Sequence, residues 1–146
     1  MESATKDERS MPKARSVAGT WYNQHGSELK LEVDAAGRLK GQFRSRSGLA
    51  REGEPCAVTG FVKNDLIAFV VDFGRFDSLT SWTGHSVIEA DEPRIRACWH
   101  MSVQVPAKHP ELDLWKGTWT GEDEFRREPF GIREWTGGSQ PLPEWP

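Results

Sequence analysis

Residues 28–34, Glu28-Leu29-Lys30-Leu31-Glu32-Val33-Asp34, alternate charged and apolar side chains without a break. A period of two puts Leu29, Leu31 and Val33 on one face of a strand and the charges on the other. Asp34-Ala35-Ala36-Gly37 then supplies turn residues, and Arg38 to Ser45 reads as the returning strand. A half-buried strand of this kind packs one face on a core and leaves the other wet, as antiparallel sheets do.

Downstream the same pattern repeats. Cys56 to Lys63 and Leu66 to Phe73 flank Asn64-Asp65, which reads as a tight hairpin. In a sixth strand Ser78, Thr80, Trp82, Gly84 and Ser86 share a face. In a seventh, Ile95, Ala97, Trp99, Met101 and Val103 face in while Arg94, Arg96, Cys98 and His100 face out. Trp115 to Phe125 reads as the eighth. No stretch keeps helical periodicity for more than about two turns. Strands that follow one another at short range predict an all-β, eight-stranded, antiparallel up-and-down β-barrel. Closure removes both sheet edges, and eight strands enclose room for one small ligand. The barrel is expected over 17–126, between a polar, disordered segment at 1–16 and a Pro/Gly-rich tail at 127–146.

The bulk properties narrow the function. A net charge of -3 with 28% charged residues gives no electrostatic reason to expect nucleic acid as a partner. No apolar run approaches the roughly 18 residues of a spanning helix. The first 16 residues lack the apolar stretch of a signal peptide, so no leader is visible and the compartment stays open. Cys56 and Cys98 are too few for a disulfide scaffold and belong to no metal or redox motif. They read as free thiols, one internal bridge or links between subunits. Seven Trp and seven Phe against a single Tyr mean either an aromatic core or an aromatic-lined pocket.

Six segments, in order and at compatible spacing, resemble the avidin and streptavidin family from about Gly19 to Phe125. Gly19-Thr20-Trp21-Tyr22-Asn23-Gln24-His25-Gly26-Ser27 resembles its first strand and turn. Gly41 to Ser45 resembles its third strand, Val58-Thr59-Gly60 its fourth, and Ser78-Leu79-Thr80-Ser81-Trp82-Thr83-Gly84 its sixth. Cys98-Trp99-His100-Met101 resembles part of the seventh, and Trp115-Lys116-Gly117-Thr118 with Gly121-Glu122-Asp123 resembles the ending.

The resemblance implies non-catalytic, high-affinity binding of biotin in the barrel mouth, with biotin as ligand and no cofactor. Asn23 and Ser27 match the donors to the urea oxygen, Asp123 and Ser45 the acceptors of the two urea N–H groups. Thr80 matches the hydroxyl near the ligand sulfur and Ser78 a hydroxyl at the carboxylate end. Trp82, Trp99 and Met101 match apolar walls, with Phe73 in place of a family Trp. The loop Arg46-Ser47-Gly48-Leu49 matches a lid, in which Leu49 replaces an Asn but keeps its backbone N–H. Trp115 matches the Trp that covers the ligand of a neighbouring subunit, which implies a homotetramer, with a dimer as the lesser alternative.

Departures bear on strength. Phe43 stands where the family usually has Tyr and lacks the hydroxyl, so one of three donors to the urea oxygen is missing. Phe73 removes area and an N–H, His25 replaces a small or apolar residue, and Arg75 and Phe76 sit beside the ligand's tail end. These changes predict weakened binding and keep open a second reading, an avidin-fold protein that takes a peptide or another small ligand. Each site residue also has a plainer role: Trp21, Trp82 and Trp99 as core, Asn23 as a turn residue, Asp123 within Glu122-Asp123-Glu124 as solvated surface. An enzyme would need His25, His85, His100 or His109 beside a nucleophile such as Ser45 or Ser78. No G-x-S-x-G motif and no metal-ligand His spacing is present. A lipocalin-like carrier would share the barrel without requiring Asn23, Ser27, Ser45, Thr80 and Asp123 together.

Overall fold

The computed structural model describes residues 16–46, 54–74, 77–104 and 117–131. They form strands β1 (Gly19–Asn23), β2 (Glu28–Val33), β3 (Arg38–Arg44), β4 (Pro55–Lys63), β5 (Leu66–Asp72), β6 (Ser78–Glu89), β7 (Glu92–Val103) and β8 (Thr118–Arg126). Each pairs antiparallel with the next, and β8 returns to β1, so the sheet closes into the expected eight-stranded barrel. The eighth strand begins at Thr118; Trp115, expected at its start, lies outside the described residues, as do Leu49, Arg75 and Phe76.

Local chemistry sets the hairpins. Asp34 Oδ1 accepts the amides of Ala36 (2.8 Å) and Arg38 (2.9 Å), an Asx turn that reverses β2 into β3. Gly37 takes φ 85° there, and a Cβ would stand 2.6 Å from the Val62 carbonyl oxygen, so only glycine fits. Asn64, at φ 55°, turns β4 into β5. The β6–β7 hairpin is longer than its composition announces. It runs from Ser78↔Val103 to Glu89↔Glu92 and turns on Ala90 (φ 52°) and Asp91 (φ 66°), with neither Gly nor Asn at the bend.

The inward faces make one core. Trp21, Leu29, Leu39, Phe43, Ile67, Phe69, Val71, Ile95 and Phe125 are fully buried. At the β1 start Trp21 Nε1 donates to the Val17 carbonyl (2.9 Å), and the Arg127 guanidinium lies 3.9 Å from the Trp21 ring centroid. Arg127 also donates to the carbonyls of Thr20 and Ser16, both at 3.2 Å. These contacts plug one end of the barrel. The other end, where β1, β3, β5 and β7 finish, carries the buried polar residues.

Candidate functional site

Strand alternation turns Asn23, Phe43, Ser78, Thr80, Trp82, Trp99, Met101 and Asp123 inward, and the β1–β2 turn adds Ser27. All are buried, as are Ser45 just past β3 and Phe73 just past β5. The structure thus brings together every described residue that the resemblance pointed to, at one end of the barrel. Trp115 and Leu49, with the lid residues 47–48, fall outside the described residues.

The polar corner is built from the turn upward. Asn23 Oδ1 accepts the backbone amides of His25 (3.0 Å) and Ser27 (2.9 Å). This fixes the orientation of the carboxamide, leaving Nδ2 to face Asp123 Oδ2 at 3.4 Å. Ser27 Oγ accepts the Arg46 amide at 3.0 Å, so its own hydrogen remains to donate. Asp123, 3% exposed, accepts Trp82 Nε1 on Oδ2 and Gln24 Nε2 on Oδ1, both at 2.8 Å. His25 Nε2 stands 4.0 Å from the same Oδ1, and burial lowers its pKa. Burial also pushes the Asp123 carboxyl up to about 6, against hydrogen bonds from Trp82, Gln24 and Asn23 that pull it down. The Trp99 N–H is near enough to steady that charge but short of bonding geometry. Chemically, the corner offers two donors beside one carboxylate acceptor.

Aromatic rings form the wall. Phe69 stacks on Trp82 (5.0 Å, 13°), Phe43 tilts against Trp82 (5.3 Å), and Phe73 meets Phe43 edge-on (6.0 Å). Phe125 closes the stack against Phe69 and Trp82 at 6.2 Å and 6.5 Å. Trp99 lies across Gly121, where an added Cβ would come within 2.4 Å of its ring. Three polar atoms on this inner face, Ser78 Oγ, Thr80 Oγ1 and Trp99 Nε1, are buried with no hydrogen-bond partner among the described residues. A buried polar atom without a partner is costly and calls for an explanation. Gln24, Phe69 and Phe125 escaped the sequence reading. Phe69 shared strand parity with Ile67 and Val71, which was a usable signal; Gln24 gave none beyond its place in the opening motif.

A groove of about 820 Å³ runs along the outer surface of β4–β8 past Phe61, Leu66, His85, Arg96 and Cys98. Its lining also takes in Glu122, Asp123 and Glu124 of β8. Both described cysteines carry free thiols, Cys98 at the groove and Cys56 half-buried on β4. Among the described residues no group of three or more His, Cys, Asp or Glu side chains could hold a metal ion.

Comparison with known proteins places this geometry. Residues 11–128 match the avidin family. Afifavidin from Afifella pfennigii is 27% identical over 94 residues, a match that spans 61% of this chain and 59% of that protein's length. The crystal structure of xenavidin superposes with a TM-score of 0.70 at 26% identity, covering 80% of this chain and 100% of the other. The crystal structure of a rhizavidin–biotin complex gives 0.66 at 27% identity, covering 80% and 98%.

Proposed function

The chain belongs to the avidin family, and from that premise we propose that it is a non-catalytic protein that binds biotin as a ligand in the open end of its barrel. One observation carries the reading: two hydrogen-bond donors, Asn23 Nδ2 with its carboxamide held in direction and the Ser27 hydroxyl, sit beside a buried carboxylate, Asp123. Donors next to an acceptor fit a ligand whose carbonyl oxygen adjoins an N–H, and the cyclic urea of biotin has that pattern. The urea oxygen lies on Asn23 and Ser27, one urea N–H on Asp123 and the other on Ser45. Ionised Asp123 has about four lone-pair sites, and its bonds from Trp82, Asn23 and Gln24 leave room for a ligand N–H. Trp82, Trp99, Met101 and Phe73 enclose the fused rings. The Thr80 and Ser78 hydroxyls, which have no partner among the described residues, face the thioether and the tail carboxylate.

Phe43 tempers the affinity. It contributes a ring against Trp82 but no third donor to the urea oxygen. One absent hydrogen bond to a buried group costs about 1–3 kcal/mol, one to two decades in Kd. Titration calorimetry should show one biotin per chain, bound more weakly than by a family member with the full donor set. Phe43→Tyr should tighten binding about tenfold. No heat at millimolar biotin overturns the reading in favour of a peptide or another small ligand.

The same premise supports a homo-oligomer, a tetramer first and a dimer second. Phe61, Leu66, Val70 and Leu79 are large apolar side chains exposed on the outer face of β4–β6, with Phe61 64% exposed. Such a patch on a single barrel is an association surface. Trp115 is the residue that would reach a neighbouring ligand site. Light scattering that returned the 16.5 kDa of one chain would sink the assembly.

A further inference from the structure

The barrel seam is its shortest ladder. β1 meets β8 only at Tyr22↔Arg126 and Asn23↔Phe125, whereas β7 meets β8 from Arg94↔Arg126 to Ser102↔Thr118. The seam stops because the chain turns away at Asn23: its carbonyl accepts the Gly26 amide (3.0 Å), and its amide donates to the Ser27 carbonyl (3.1 Å). From Glu124 back to Glu122, therefore, β8 has no β1 backbone beside it. In a strand, the carbonyl of one residue and the amide of the residue two places on point to the same edge. Glu122 C=O and Glu124 N–H are such a pair, and the residue between them is Asp123.

One side chain serves both groups. Gln24 Nε2 donates to the Glu122 carbonyl (3.0 Å), and Gln24 Oε1 accepts the Glu124 amide (3.1 Å). The second hydrogen of Nε2 goes to Asp123 Oδ1 at 2.8 Å. The carboxamide thus replaces the missing peptide group of the seam and grips the carboxylate in the same contact. His25 Nε2 stands 3.3 Å from Gln24 Nε2 and 4.0 Å from Asp123 Oδ1. With both Nε2 hydrogens of Gln24 committed, a protonated His25 would bring a competing donor to that oxygen.

We infer that Gln24 is a positioning residue for the ligand acceptor: by completing the β1–β8 seam around Asp123, it sets the direction of the carboxylate that meets the ligand N–H. The assignment rests on the biotin reading and deepens it. Gln24 has no role toward ligand except through Asp123, and a double-mutant cycle isolates that dependence. Its bond also favours the ionised carboxylate against the desolvation that opposes it.

The test measures biotin affinity for the full chain, for Gln24→Met, for Asp123→Ala and for the double variant. Met keeps the length and shape of Gln without its amide, and a thermal melt reports folding of each protein. Gln24→Met should weaken biotin about tenfold in the parent and less than about twofold in the Asp123→Ala background. It should also raise the pH at which biotin affinity falls off, which a seam contact of purely structural value would not do. Charged or titratable groups near Asp123 are His25 from the turn, Glu122 and Glu124 on its own strand, and Arg94 and Arg96 on β7. None of these is altered. Equal losses in both backgrounds, or an unmoved pH midpoint, overturn the assignment while leaving biotin binding intact. A parent that binds no biotin overturns the underlying reading and this assignment with it.

Discussion

The two sides of the barrel interior satisfy their polar groups differently. At the β1–β8 corner, Asn23, Ser27, Gln24, Trp82 and Asp123 are tied together by hydrogen bonds within the protein. On the β6–β7 wall, Ser78 Oγ, Thr80 Oγ1 and Trp99 Nε1 are as deeply buried and have no partner among the described residues. The difference separates two ways of preparing a site. The corner is pre-organised, so a ligand meets groups already aimed and loses little ordering entropy there. The wall carries an uncompensated cost that a polar ligand atom would relieve. Variants at the corner should therefore damage binding most, while variants on the wall should trade binding against stability.

The largest effect is expected at Asp123. Asp123→Ala removes the proposed acceptor of a urea N–H and also releases Trp82 Nε1, Asn23 Nδ2 and Gln24 Nε2 from their common partner. A hydrogen bond to a buried charged group is worth roughly 1.5–3 kcal/mol, so calorimetry should show biotin weakened about 100-fold. An affinity equal to the parent's would mean that the corner is architecture rather than a binding element.

Proton titration of the same carboxyl sharpens the comparison. Its pKa is about 6 in the folded chain against an ordinary value of 3.8. Below the ordinary value the group is protonated in both folded and unfolded states. As pH rises, the unfolded chain ionises first, so the free protein loses stability until the folded group ionises as well. The difference between the two values corresponds to ~3 kcal/mol across that window. Ligand affinity runs the other way, because the ionised form is the better acceptor. It should fall about tenfold per pH unit below the folded pKa. Urea denaturation of the free protein and calorimetry with a biotin amide, whose tail does not titrate, measure the two slopes. Slopes of the same sign would contradict the assignment of Asp123 as acceptor.

The same contrast explains what could be read from the chain before its fold was known. The unbroken alternation of Glu28 to Asp34 and the parity of Ser78, Thr80 and Trp82 are local properties, and local alternation decides which face a side chain occupies. The wall of the site was legible for that reason. The corner was legible only as a pattern resembling other chains, since its bonds join residues as far apart as Gln24 and Glu124. The acidic run at 122–124 shows the limit. Parity alone cannot tell that Asp123 turns into the barrel while Glu124, on the opposite face, is also buried, clasped by Arg126 at 2.8 Å and Arg94 at 3.5 Å. The Ala90-Asp91 turn stayed hidden for a related reason. Neither Gly nor Asn marks it, and the long β6–β7 ladder holds those two residues at positive φ.

The smallest and most discriminating effect is expected on the wall, at Thr80. Thr80→Val exchanges a hydroxyl for a methyl of nearly the same volume, so packing against Met101, its cross-strand neighbour, is retained. In the free protein the variant removes a buried hydroxyl that has no partner among the described residues. It should therefore be more stable than the parent, by roughly 1 kcal/mol. In the proposed complex it deletes the hydroxyl assigned to the ligand sulfur, a weak acceptor. Affinity should accordingly drop only about three- to fivefold, less than 1 kcal/mol. Stability and binding thus move in opposite directions at the wall. At the corner, by contrast, removing the Asn23 carboxamide would break the turn's bonds to the His25 and Ser27 amides and loosen the acceptor and the structure together. A thermal melt and a biotin titration on one preparation of Thr80→Val give both signs. A variant that is less stable and binds equally well would mean that the hydroxyl is partnered inside the protein, and the contrast between corner and wall would fall.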